Sequence, residues 1–386
     1  MLKGMAPQPI YLDNHATTPV DPRVFRAMEP YFTSEFGNAA SNSHAYGWAA
    51  AKAVQQARTQ VAVLIGAEPK EIVFTSGATE SDNLAIKGVA DCCRGKNAHI
   101  ITTNFEHHAV LDPFIRLEHE GFAVTRLAVD HDGRIRLSEL EAALRPETVL
   151  VSIMAVNNEI GTVQDMEAIG ALTRARGIVF HSDATQAVGK MPVDVKRWKV
   201  DLLSLSGHKM YGPKGVGGLF VRSGVKLICQ QDGGGHERGM RSGTLNVPGI
   251  AGLGAAAAIA AEELPEESRR IGALRDRLRD LIQTGVEGVK VNGSQTQRVV
   301  HNLHLTFPEV DATTLMMSMP EVACSSGSAC TSSSRNASHV LLAIGLSEDE
   351  AQRSVRFGLG RFTTAEEIDR AAARVVDAAR QLRALA

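Results

Sequence analysis

Between residues 71 and 221, short β-branched runs alternate with stretches of helical periodicity. Six of these runs, Ile72-Val73-Phe74-Thr75, His99-Ile100-Ile101-Thr102, Phe122-Ala123-Val124-Thr125, Val149-Leu150-Val151-Ser152-Ile153, Ile178-Val179-Phe180 and Asp201-Leu202-Leu203-Ser204, are apolar with little alternation. A strand with one wet face alternates polar and apolar residues, whereas a strand covered on both faces does not. The pattern predicts an α/β fold with a mainly parallel sheet flanked by helices, and ligands belong at the carboxyl ends of such strands.

Beyond the sheet, residues 251–261 are rich in glycine and alanine and predict a helix packed closely on its neighbours. That run is short of the roughly 20 apolar residues a membrane span needs. Glu262-Glu263-Leu264-Pro265-Glu266-Glu267 follows, then a charged amphipathic helix to about residue 283, and the domain change is placed there. The remainder predicts strands near 301–307 and 354–357 and a final helix over 365–384, a smaller α+β domain. Residues 325–334 are serine-rich and aperiodic, which predicts a mobile loop.

Composition narrows the class of protein. A chain of 386 residues exceeds one typical core, so two domains are expected. The formal net charge is −2 with no long run of one sign, which argues against direct nucleic-acid binding and against a membrane-surface role. Residues 1–10 lack the charged flank and apolar core of a secretory signal, so a cytoplasmic location is expected. The five cysteines form no Cys-x-x-Cys pair and no zinc spacing with histidine, which predicts free thiols and no metal site.

The chemistry gathers after the strands. Lys209 sits on the polar turn of Ser204-Leu205-Ser206-Gly207-His208-Lys209, and the neighbouring run ends in Asp183-Ala184-Thr185-Gln186. A lysine and an acid at adjacent strand ends suit pyridoxal 5'-phosphate, which needs a Schiff-base amine and a carboxylate for its ring nitrogen. Thr75-Ser76-Gly77-Ala78-Thr79-Glu80-Ser81 opens a helix after a strand, which makes either an anion site or a plain helix start capped by Ser76 or Thr79. It is not a nucleotide P-loop, because no Gly-x-x-x-x-Gly-Lys-Ser/Thr occurs in the chain.

Other segments are more ambiguous taken singly. His107, in Asn104-Phe105-Glu106-His107-His108, could stack on a flat ring or be structural. Asn158, in Val156-Asn157-Asn158-Glu159-Ile160-Gly161, could bond a ligand or shape a turn. Residues 233–244, with three successive glycines and ending at Thr244, permit close approach to an anion or form a tight surface loop. Arg356, in the apolar run Ser354-Val355-Arg356-Phe357, needs an acidic partner, either a substrate carboxylate or a structural salt bridge. Cys330 lies on the polar loop Cys324-Ser325-Ser326-Gly327-Ser328-Ala329-Cys330-Thr331-Ser332 and is the candidate nucleophile, whereas Cys92, Cys93, Cys229 and Cys324 read as small buried hydrophobes or tolerated thiols.

Together these segments closely resemble the cysteine desulfurases, pyridoxal-phosphate enzymes of fold type I and aminotransferase class V. The likeness runs from Tyr11-Leu12-Asp13-Asn14-His15-Ala16-Thr17-Thr18-Pro19 to Phe362-Thr363, and includes Ser206-Gly207-His208-Lys209-Met210-Tyr211-Gly212-Pro213-Lys214-Gly215. The Ser-Ser-Gly-Ser-Ala-Cys loop resembles the group with the longer catalytic loop, which serves general iron–sulfur assembly, tRNA thiolation or nitrogenase maturation.

The resemblance implies a seven-stranded sheet in a large domain over 17–262, and a small domain over 1–16 and 263–386 carrying the catalytic loop. It implies that Lys209 holds the cofactor and moves the Cα proton, that Asp183 keeps the ring nitrogen protonated, and that His107 stacks on the ring and helps proton transfer. Gln186 would bond the ring hydroxyl oxygen, and Asn158 is also expected at the cofactor. Ala78, Thr79, Ser206 and His208 would hold the phosphate, with Thr244 reaching across from a second subunit of a homodimer. Arg356 with Asn158 would grip the carboxylate of L-cysteine, and Cys330 would take its sulfur as a persulfide, releasing L-alanine. The sulfur then passes to an iron–sulfur scaffold or another acceptor protein.

Three departures from the family pattern stand out. Ala39 occupies a position where proline is frequent, Cys324 adds a thiol near the nucleophile, and the chain stops soon after Leu385 without the longer tail some members use to dock a scaffold. A neighbouring chemistry, selenocysteine lyase or another pyridoxal-phosphate β-elimination, is the alternative; it depends less on a thiol at Cys330.

Overall fold

The computed structural model describes residues 9–95, 97–327 and 337–385. The strands in chain order are β1 (Ile10–Tyr11), β2 (Ile72–Thr75), β3 (His99–Thr103), β4 (Ala123–Leu127), β5 (Thr148–Ser152), β6 (Val179–Asp183), β7 (Leu202–Ser206), β8 (Gly217–Val221), β9 (Lys290–Val291), β10 (Asn302–Thr306), β11 (Val322–Ala323) and β12 (Ser354–Gly358). Seven of them form one sheet in the order β2-β8-β7-β6-β5-β3-β4. Pairing is parallel from β7 through β4, and β8 runs antiparallel to both β2 and β7.

The apolar runs therefore form the strands expected of them, with ends displaced by up to three residues. The exception is β8, which the hydrophobic pattern did not mark because it opens on Gly217-Gly218 and reads as a loop. Tertiary packing demands that glycine: a Cβ at Gly217 would lie 2.6 Å from the Leu205 carbonyl oxygen and 2.7 Å from the Gly77 Cα.

Around residue 262 the structure departs from expectation. In place of two helices there is a single one, Val247–Gly285, running through Pro265. Proline removes the hydrogen bond to the carbonyl four residues earlier. Pro265 and Ala261 are both exposed, so water can take up that carbonyl. The first half of the helix contributes Ile250, Leu253 and Ala257 to one core with Ala53 and Ala57 of the helix Ala45–Ile65. The second half contributes Ile271, Leu278 and Ile282 to another core with Leu303, Phe357 and Val375.

By length and apolar composition part of this helix could cross a membrane, but half of that stretch is buried within the protein. Its small residues serve contact instead: a Cβ on Gly254 would lie 2.5 Å from the Ala57 Cα. The second core is completed by the antiparallel sheet β12-β10-β9, the parallel pair β1–β11, and the helix Ala365–Arg383, which starts on a Thr364/Glu367 capping box.

The glycine-rich segment 233–244 is tied to the large sheet by a buried ion pair. Arg58 donates from Nη2 to Glu237 Oε1 at 2.7 Å and from Nη1 to Oε2 at 2.8 Å, and the Phe74 amide donates to Oε2 at 2.8 Å. Removing one member of such a pair strands a buried charge, at a cost of about 3–5 kcal/mol. Glu237→Ala is expected to lower the unfolding free energy by about that amount in urea denaturation, and Glu237→Gln by less because it retains an acceptor for Arg58 and Phe74.

Candidate active site

At the carboxyl ends of β2, β3, β5, β6 and β7 lies a cleft of about 480 Å³. Ala78, Thr79, His107, Asn158, Asp183, Gln186, Ser206, His208, Lys209 and Arg356 all line it. Thr244 does not line the cleft of its own chain. Cys330 lies outside the described residues.

One end of the cleft is built for an anion. The helix Ala78–Asp91 has Gly77 as its N-cap, with no side-chain cap, so its first amides point into the cleft without the Ser76 or Thr79 cap that a plain helix start would show. Ser206 and Lys214 face the same space. His208 is held by Thr17, Nδ1 to Oγ1 at 3.1 Å. Burial, reinforced by the nearby Lys209, Lys214 and Lys190, pushes its pKa down to about 4, so this imidazole is neutral at neutral pH.

At the centre, Lys209 ends the short 3-10 turn Gly207–Lys209 that follows β7. Its Nζ donates to the carbonyls of His15 at 2.5 Å and Ala16 at 2.8 Å. Asp183 closes β6 and accepts the Thr185 amide at 2.9 Å. His107 caps the helix His108–His119, its Nδ1 accepting the Ala109 amide at 3.0 Å. An acceptor nitrogen carries no proton, so the neutral ring bears its proton on Nε2. Burial favours that neutral form; Asp183 opposes it and Lys209 supports it.

Gln186 lines the cleft with its amide engaged. Oε1 accepts from Lys190 Nζ at 2.6 Å and lies 2.9 Å from His15 Nδ1, while Nε2 donates to the His15 carbonyl at 3.0 Å. Arg356, only 1% exposed, donates from Nη1 to the Asn158 carbonyl at 2.8 Å and from Nη2 to Asp13 Oδ1 at 2.9 Å. The structural salt bridge is thus present, yet Arg356 Nε and Asn158 Oδ1 are buried without hydrogen-bond partners among the described residues. Two partners fix the guanidinium plane and leave the Nε edge for a carboxylate.

Several groups at the site were missed from the sequence. Asp82 lines the cleft from a buried helix position; burial and then Asp183 hold its carboxyl well above the usual range. Its signal was an acid in a helix segment whose neighbours Leu84, Ala85 and Ile86 are core. His181, behind it, is pushed by burial down to about 4. Glu106, next to His107, accepts from Thr103 Oγ1 at 2.8 Å and the Met154 amide at 2.9 Å, and burial still raises its pKa to about 8.

Cys92, Cys93, Cys229 and Cys324 are each partly buried, and Cys324 packs against the second core. Burial, followed by Asp13, raises the Cys324 thiol to about 12, so it stays protonated and a poor nucleophile. Among the described residues no His, Cys, Asp and Glu cluster could hold a metal.

The geometry meets pyridoxal phosphate feature by feature: uncapped amides for a phosphate, an amine for its aldehyde, a carboxylate for its ring nitrogen. The aminotransferase class-V family model matches residues 10–371, and the chain belongs to that family of pyridoxal-phosphate enzymes. Within it the chain is a cysteine desulfurase. A cysteine desulfurase IscS of Anaeromyxobacter sp. (strain Fw109-5) is 58% identical over 377 residues, covering 97% of this chain and 93% of that protein. The cysteine desulfurase IscS of Azotobacter vinelandii is 56% identical over 381 residues, covering 98% and 94%. Among solved structures, a NifS-like protein superposes with a TM-score of 0.90 at 37% identity, covering 96% of this chain and 99% of that one. SspA in complex with cysteine superposes at 0.82 with 39% identity, covering 92% and 99%.

Glu106 gives the site a pH signature. Its ordinary pKa of 4.5 is raised to about 8 in the fold, so the folded state binds the proton more tightly and this group's stabilising contribution disappears as pH rises between those values. Glu106→Gln has no charge to bury. Denaturant unfolding across that range is expected to show the variant gaining on the parent with rising pH, then a constant difference above it.

Proposed function

We propose that the cleft binds pyridoxal 5'-phosphate and L-cysteine, removes the sulfur atom of cysteine onto Cys330 as a persulfide, and releases L-alanine. The observation that carries this reading is the convergence of uncapped helix amides, Lys209, Asp183, His107 and the Nε edge of Arg356 in one cleft. When bound, the cofactor supplies an electron-accepting ring that stabilises a carbanion at the amino-acid Cα.

The chain's own groups supply the rest. Lys209 would hold the cofactor, and its amine would move the Cα proton. Asp183 holds a proton on the ring nitrogen, and Gln186 and Asn158 bond the ring's edge. The amides of Ala78 and Thr79, with Ser206 and His208, take the phosphate. His107 stacks on the ring and offers its Nε2 proton. Arg356 and Asn158 orient the substrate carboxylate, so that its sulfur lies where Cys330 can reach it.

We assign the working unit as a homodimer in which Thr244 completes the phosphate site of the partner subunit. Phe25, Phe32, Phe36, Tyr46 and Trp48, all more than half exposed, supply the apolar surface for such a contact. The two cores support a large domain over 17–262 and a small domain over 1–16 and 263–386. The sulfur then passes, in the cytoplasm, to an iron–sulfur scaffold or another acceptor protein.

Lys209→Ala is expected to lose the visible absorption of the bound cofactor together with alanine formation. Cys330→Ser should keep its colour but show no added sulfur by mass spectrometry after incubation with cysteine; sulfur accumulating on a coloured Cys330→Ser protein at the parent level refutes the nucleophile assignment. Arg356→Lys replaces a planar fork with a point charge. It is expected to raise KM for L-cysteine roughly 10- to 100-fold with the cofactor spectrum intact, as steady-state kinetics would show.

A further inference from the structure

We propose that Lys190 is a positioning residue for the cofactor, acting through Gln186 and the His15 carbonyl from one layer behind the cleft; the proposal rests on the pyridoxal-phosphate reading above. After β6 the chain turns through Ala187 and Val188, whose amides both donate to the Ala184 carbonyl, and the Lys190 amide then donates to Ala187. Gly189 makes the turn at φ +76°, where a Cβ would lie 2.7 Å from the Met210 Cβ. The turn folds Lys190 back beneath Gln186, four positions earlier.

Lys190 is 2% exposed, and Gln186 Oε1, at 2.6 Å, is the one hydrogen-bond partner of its side-chain amine among the described residues. A buried amine is costly unless it is paired. Burial pushes its pKa well below the ordinary lysine value; Lys209 and Arg356 act in the same direction and Glu267 against it. Charged or neutral, the amine has a proton to donate to Gln186.

The amide orientation follows from its partners. The His15 carbonyl can only accept, so it faces Gln186 Nε2, and Oε1 must then face Lys190. The same His15 carbonyl receives Lys209 Nζ. Hydrogen bonds thus run from Lys190 through Gln186 to His15 and meet the cofactor-holding lysine there. His15 is itself buried in the cleft wall, with Nε2 unpartnered among the described residues. Without Lys190, Oε1 loses one of its two donors and the amide is held by His15 alone.

A double-mutant cycle on the holoenzyme tests this, using the parent, Lys190→Met, Gln186→Ala and the double variant. The readouts are the visible absorption maximum and the pyridoxal-phosphate dissociation constant from equilibrium dialysis. In the parent background Lys190→Met is expected to shift the maximum and weaken cofactor binding about tenfold, the loss of roughly one buried hydrogen bond. In the Gln186→Ala background the same change is expected to move neither readout appreciably. Equal effects in both backgrounds, or no effect in either, overturn the proposal. Should Lys190→Met not fold, Lys190→Leu enters the same cycle, with far-UV circular dichroism as the check on folding. A parent protein that acquires no visible band with pyridoxal phosphate overturns the cofactor reading itself, an outcome distinct from a failed cycle.

Discussion

The parallel register of β6 against β7 is the constraint on which the site depends. Asp183 pairs with Ser204, so the end of β6 stands beside the strand whose next turn carries Lys209. Side chains alternate faces along a strand, and a slip of one residue would send Asp183 to the opposite face. The register is fixed by burial: β7 is fully buried along its length, as are four of the five residues of β6, so a shifted alignment has no wet face on which to put the displaced side chains.

Around this pair the protein keeps charge scarce. Asp82, Glu106, His181 and His208 all have their pKa values moved by burial toward the neutral form. Neutral neighbours leave few charges in and around the cleft. In a water-poor cleft each remaining charge acts more strongly than it would at the surface. The same burial keeps the Cys324 thiol protonated and so a poor nucleophile.

The long helix Val247–Gly285 joins the two hydrophobic cores, and the substrate end of the cleft is assembled across them. Arg356 comes from β12 and Asp13 from the segment after β1, while Asn158 follows β5 of the large sheet. The buried guanidinium is held on both sides by partners distant in sequence. Its geometry is therefore a product of how the two cores meet.

Six of the seven strands of the large sheet and the placing of a cleft at their carboxyl ends could be read along the chain, because apolar runs and turn chemistry are local properties. Lys209, Asp183, His107 and Arg356 were each ambiguous alone, and it was the whole set of segments, through its resemblance to a family, that marked them. Long-range contact decided the rest. Gly217 opens a strand where any Cβ would collide with Leu205 and Gly77; Pro265 was absorbed into a helix because its side faces water; Asp13 became the partner of Arg356 across 343 positions of chain. Asp82, Glu106 and Lys190 look like ordinary charged residues in a string of letters, and their ionisation follows from burial that exists only once the fold has closed over them.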